Sequence, residues 1–159
     1  ELHWLSHVIR CSYLALIYSC IENLTEYEFS LLLISLFYHD IGRNRDMDDN
    51  MHGYKSANKL DFLKSVVNYD ELQSIKTIII CHCLESDEYD LILKINNIKN
   101  PELVKKILLI VKDIDALDRV REYPYCDTKY IKNRTALKLL PFACILFNSY
   151  KIIVGDEYE

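Results

Sequence analysis

Apolar residues recur at three- and four-residue intervals through nearly the whole chain, and only three glycines and three prolines interrupt them. That spacing lines apolar side chains along one stripe of an α-helix, whereas alternating runs bounded by turn residues, the mark of strands, are hard to find. The expectation is an all-α fold. With 159 residues, half of them hydrophobic, the chain can bury one sizeable core and reads as a single domain over residues 1–159. It opens on Glu1 with no initiator Met and no signal-like segment, so a boundary close to the first functional helix is expected, with the domain truncated there.

Local chemistry places the helices. The first covers about Leu5 to Glu22, and Thr25 followed by Glu28 is a capping-box pair that opens a second helix to about Tyr38. Residues 42–50 are Gly-, Asn-, Arg- and Asp-rich and read as a solvated loop. A third helix is predicted over Tyr54 to Val67, and a fourth, capped by Asp70, to about Cys83. Residues 85–100 read as a connection with one short turn. Asn100 and Pro101 suit the N-cap and first position of a fifth helix to about Val120, followed by a polar link with Pro124. The last helix runs from about Thr135 to Val154, with Pro141 as an N-terminal kink.

Charge and cysteine usage narrow the function classes. The net charge of −5, from 19 basic and 24 acidic residues spread along the chain, lacks the clustered basic footprint of a nucleic-acid binder. Cysteines at 11, 20, 81, 83, 126 and 144 lie mostly in apolar helical stretches and read as reduced thiols of a cytoplasmic protein. Cys81 and Cys83 are too close in sequence for a CxxC zinc knuckle and read as small buried hydrophobes. No apolar run reaches the roughly 20 residues of a membrane span. The abundance of Ile, Lys, Asn and Tyr suggests an AT-rich, bacterial genome.

The chemistry concentrates around His39 and Asp40, adjacent at the end of an apolar helix in Leu36-Phe37-Tyr38-His39-Asp40-Ile41-Gly42. Burying an imidazole and a carboxylate is costly unless something satisfies both. A divalent cation does so, and mixed His/Asp sites hold Mn, Fe, Co, Ni, Zn or Mg. A helix C-terminal cap or a surface pair is the alternative for the dipeptide alone. It is accompanied by His7 on the first helix and by Asp115 in Lys112-Asp113-Ile114-Asp115-Ala116-Leu117-Asp118-Arg119 on the fifth.

This order, H, then HD, then D on successive helices, resembles the HD superfamily of metal-dependent phosphohydrolases over nearly the entire chain. In small bacterial HD proteins the segments read HxxxHxxRV, HDxxRxND, HGxxSA and KDADALDRVR. Here His3, His7 and Arg10, then His39, Asp40, Arg43 and Asp46, then His52, Gly53, Ser56 and Ala57 match. The resemblance implies a compact helical bundle of about six to seven helices, with His7, His39, Asp40 and Asp115 as metal ligands. Ile114 replaces the usual small residue of the final motif, which leaves open whether Asp113 or Asp115 points inward.

His52 and His82 fall where many HD proteins place extra histidines. They would hold a second metal with Asp40 bridging, or contact phosphate and donate a proton. The alternatives are a hydrogen-bonded core histidine at 82 and a loop histidine at 52. His3, four residues before His7, is either a substrate-side neighbour or part of a frayed terminus. Arg43, Arg45 and Lys55 are the nearest cations for neutralising phosphate, with Arg45 the one read as solvated. Arg119 and Arg121 either line the pocket or pair with Asp118 and Glu122. Asp113 and Asp118 are expected to orient metal-bound histidines.

The implied reaction is hydrolysis of a small nucleotide or related phosphate ester, a phosphoribosyl ester included, as a phosphomonoesterase or phosphodiesterase. The metal, one ion or two, acidifies water, Asp40 or a histidine serves as base, and Asp40, His52, His82 and Arg43 form the catalytic set. The sequence has neither a glycine-rich phosphate loop nor a serine elbow. A di-iron oxygenase using His7, His39, Asp40, His52, His82 and Asp115 is a second reading, and a non-catalytic nucleotide-sensing module a third.

Overall fold

The computed structural model describes the backbone at residues 2–43, 49, 51–122 and 128–154, with side chains at 5–43, 49, 51–120 and 128–149. Arg45, Asp46, Pro124 and Cys126 lie outside the described residues, as do the side chains of His3, Arg121 and Glu122. The all-α expectation holds: the described residues form helices α1 (Leu2–Glu22), α2 (Glu26–Tyr38), α3 (His52–Asn58), α4 (Tyr69–Cys81), α5 (Tyr89–Ile95), α6 (Pro101–Leu117), α7 (Arg134–Lys138) and α8 (Leu140–Val154), with short 3₁₀ turns and no strand. No helix among the described residues is long and apolar enough to cross a membrane.

The chain divides into two compact units, one of residues 1–29 with 112–159 and one of residues 30–111. In the first, α1 buries Val8, Cys11, Leu14, Ala15 and Tyr18, a three- and four-residue repeat that packs on α7 and α8. Burial pushes the Tyr18 hydroxyl up to about 12, helped by the nearby Glu22 and Asp113 carboxylates. In the second, α4 buries Leu72, Ile75, Ile78 and Ile79 and packs on α3 and α5.

Capping chemistry sets the helix ends. Thr25 and Glu28 exchange the expected pair of bonds, with Thr25 N donating to Glu28 Oε2 at 2.9 Å and Glu28 N donating to Thr25 Oγ1 at 3.2 Å. The cap of α4 is Asn68 rather than Asp70: Glu71 N donates to Asn68 Oδ1 at 3.0 Å and Asn68 N to Glu71 Oε2 at 3.1 Å. Asp70 lies inside the first turn and pairs with Lys99 at 2.6 Å. With glycine scarce, asparagine takes the left-handed position after two helices, at Asn23 (φ 52°) and Asn97 (φ 50°). Each lets the next N–H reach back five residues, Leu24 to Ser19 O at 3.0 Å and Ile98 to Leu93 O at 3.1 Å.

Four boundaries differ from the sequence expectation. The third helix splits into α3 and a 3₁₀ turn over Leu60–Ser65, because the buried Leu60 and Leu63 stand three apart, the repeat of a 3₁₀ helix. The connection at 85–100 contains α5, whose buried Tyr89 and Leu93, four apart, anchor it despite the acidic composition. Helix α6 gives way to a 3₁₀ turn at Asp118–Glu122. The last helix breaks at Leu139, since Pro141 has no N–H to continue the ladder.

Candidate metal centre

In the unit of residues 30–111, three histidines are held the same way. His39 Nδ1 faces Leu36 O at 2.8 Å, His52 Nδ1 faces Asp49 O at 2.5 Å and His82 Nδ1 faces Ile79 O at 2.6 Å. A carbonyl only accepts, so each Nδ1 carries the proton and each Nε2 presents a lone pair. Histidines that bind metals are oriented by this kind of bond.

The three Nε2 atoms gather on one carboxylate. Asp40 Oδ2 lies 3.7 Å from His39 Nε2, while Asp40 Oδ1 lies 3.3 Å from His52 Nε2 and 3.7 Å from His82 Nε2. His52 Nε2 and His82 Nε2 are 2.8 Å apart, with their rings in an edge-on arrangement. Two sets of ligand atoms lie within 4.8 Å of one another here, His39 with Asp40 and His82, and His52 with His82 and Cys83. His39 is 1% exposed, so its imidazole is held away from water.

Two glycines make this assembly possible. A Cβ on Gly42 would fall 2.3 Å from Ser56 N and 2.5 Å from Lys55 C, so only glycine lets the segment after Asp40 lie on α3, where Gly42 N donates to the buried Ser56 hydroxyl at 2.9 Å. A Cβ on Gly53 would fall 2.5 Å from Ile79 O and 2.8 Å from Ile80 O, so α3 rides directly on the α4 backbone and carries His52 to His82. The Gly42, Gly53 and Ser56 positions are therefore backbone-approach positions.

Of the three cations expected near this cluster, the two among the described residues, Arg43 and Lys55, are engaged. Arg43 Nη1 donates to Asp40 Oδ2 at 3.1 Å from a half-exposed position, and Lys55 Nζ donates to Asp49 at 2.5 Å. Asp49 also accepts from His52, so Lys55 acts one residue removed from the imidazoles.

The unit of residues 1–29 and 112–159 carries a second cluster. His7 Nδ1 donates to Asp118 Oδ2 at 2.8 Å, leaving Nε2 facing Asp115 Oδ1 at 3.4 Å. Arg10 grips Asp118 with two bonds, Nε to Oδ1 at 2.7 Å and Nη2 to Oδ2 at 2.9 Å. Burial by itself would raise the Asp118 carboxyl, but the hydrogen bonds and charges of Arg10 and His7 outweigh it and hold the group below the usual carboxylate range.

Asp118 thus orients His7 as the sequence suggested, whereas Asp113 orients no histidine. It accepts from Lys132 N at 2.7 Å and Asn133 N at 2.8 Å and anchors the turn before α7, with burial raising its carboxyl against those two donors. Asp115, two residues on, is the one that faces His7. Arg119 does not pair with Asp118, which Arg10 occupies; its guanidinium lies 5.5 Å over the Tyr130 ring. The role of Arg10 went unread in the sequence, although its place three residues after His7 puts both on one helical face.

Comparison with known proteins finds no matching family model, no matching curated protein and no matching solved structure. Lone pairs of His52 and His82 that face one another at 2.8 Å repel unless a cation or a proton lies between them. Two nitrogens each about 2.1 Å from a shared ion stand about 3.0 to 3.4 Å apart, so the pair needs only a small adjustment to fit one. Imidazole and carboxylate donors that could hold a metal ion are thus present within hydrogen-bonding range of each other.

Proposed function

We propose that the chain is a metal-dependent phosphohydrolase acting on a small nucleotide or related phosphate ester, as a phosphomonoesterase or phosphodiesterase. The observation that carries this reading is the common locking of His39, His52 and His82 through Nδ1, with Nε2 turned toward Asp40. His39 and Asp40 would hold the metal. In the other unit, Asp118 with Arg10 keeps His7 in a tautomer whose Nε2 faces Asp115 and could ligate an ion.

When bound, a divalent ion supplies Lewis acidity toward a phosphate oxygen and acidifies water. The residues of the chain do the rest. Asp40, or His52 or His82 through its Nε2 lone pair, accepts the proton of the attacking water, and the proton so taken passes to the departing ester oxygen. Arg43 swings from Asp40 to the phosphate and offsets the charge that builds there. Small phosphorylated substrates suit the acidic chain better than a polynucleotide.

The test is metal content of the purified protein with hydrolysis of bis-para-nitrophenyl phosphate and a nucleotide panel, comparing wild type with Asp40→Ala. Bound metal with turnover lost in the variant supports the proposal. No metal and no turnover with any divalent ion overturns it and favours a nucleotide-binding module. The placement of both His52 and His82 against Asp40 also suits a di-iron oxygenase, which two bound irons and oxygen-dependent turnover would identify.

A further inference from the structure

We propose that His52, His82 and Cys83 form a thiolate-containing site for a borderline first-row dication, with zinc as its natural occupant.

Three observations meet here. The ligand atoms of the three residues all lie within 4.8 Å of one another, and the two Nε2 atoms are only 2.8 Å apart. Both imidazoles already have their other nitrogen committed to main-chain carbonyls, so the lone pairs that remain are the ones aimed at this point. The missing side chain of Gly53 makes room for the sulfur, since a Cβ there would fall 2.9 Å from Cys83 Sγ. Cys83 follows His82 at the end of α4 and is partly exposed, which gives an ion a way in.

The thiol hydrogen bond is weak, from Cys83 Sγ to Ile80 O at 3.6 Å, and is readily given up. On binding, a sulfur–metal bond forms, the thiol proton passes to solvent and no electron is transferred. Asp40 Oδ1, 3.3 Å from His52 Nε2 and 3.7 Å from His82 Nε2, is placed to close the set. Sulfur with two imidazoles favours zinc or cobalt over magnesium or manganese, whose preferred donors are oxygens. The site shares His52 and His82 with the phosphohydrolase reading, but its test reads sulfur–metal contact rather than turnover.

The metal-free protein is titrated with cobalt(II) and its near-ultraviolet spectrum recorded. A thiolate-to-cobalt charge-transfer band is expected in wild type, retained in Cys20→Ser and Cys144→Ser and lost in Cys83→Ser, with zinc affinity of the last reduced about tenfold or more. Zinc-edge X-ray absorption of wild type, which needs no variant to fold, is expected to show one sulfur neighbour at about 2.3 Å. A spectrum with nitrogen and oxygen neighbours only, or a band that survives in Cys83→Ser, overturns the site. Phosphate-ester turnover in a protein lacking the band leaves the hydrolase standing and removes the thiolate; a band without turnover does the reverse.

Discussion

His52 Nε2 stands 2.8 Å from His82 Nε2 while each ring donates through Nδ1 to a main-chain carbonyl, at Asp49 and Ile79. The folded arrangement therefore brings lone pairs together and creates a demand, met by a cation or a proton, that the unfolded chain does not have. If a metal ion meets that demand, as proposed, its binding stabilises the fold, by about 2.7 kcal/mol at an ion concentration a hundred times the Kd. Thermal melting with added zinc and with a chelator measures this. His82→Ala is expected to reduce the difference between the two conditions, and an unchanged difference would refute a cation between His52 and His82.

Gly53 offers a test in which helix propensity and tertiary packing predict opposite signs. Inside a helix, alanine is favoured over glycine by about 1 kcal/mol. A Cβ at 2.5 Å from Ile79 O overrides that preference. Gly53→Ala is expected to lose about 1 to 3 kcal/mol of stability, the range for overpacking, and to weaken metal binding by moving His52 off His82. Urea unfolding with a zinc titration decides it. A stabilised Gly53→Ala protein would show that α3 does not ride on α4 as described.

Arg10 and Asp118 form a two-bond ion pair in which Arg10 is 4% and Asp118 1% exposed. Removing one partner strands a buried charge. Asp118→Asn and Arg10→Met are each expected to cost about 3 to 5 kcal/mol. The double variant should cost clearly less than the sum, because the second change removes the stranded group. Chemical denaturation of the four proteins gives the coupling, and strict additivity would argue against the pair.

Asp61 receives Lys64 Nζ at 2.8 Å and Lys76 Nζ at 2.7 Å, and these hydrogen bonds lower its carboxyl to about 2. A depressed folded value stabilises the protein above the ordinary carboxylate value near 4, and that contribution is lost as pH falls from there toward 2. Because the pair is exposed, salt should weaken it. A carboxyl-directed NMR titration is expected to find Asp61 titrating near the bottom of this window. Asp61→Asn should make the acid limb of unfolding shallower, and a normal Asp61 titration would contradict the pairing.

The all-α class, the Thr25–Glu28 and Asn100–Pro101 helix starts and the candidate histidines and aspartates were legible in the sequence, because helical periodicity, caps and adjacent donors are local properties written within a few residues. The sequence also contained Asn68-x-x-Glu71 and the four-residue step from Tyr89 to Leu93, signals that acidic surroundings obscured. Other assignments depended on groups far apart in the chain. Asp113 and Asp115 are alike in sequence and separate only when the turn at Lys132 and Asn133 claims the first and His7 faces the second. Cys83 read as a buried hydrophobe until α3 was packed on α4, and Gly42 and Gly53 read as isolated glycines until the backbones they admit were in place. Spacing along the chain orders neighbours; only packing decides which lone pairs share one point in space.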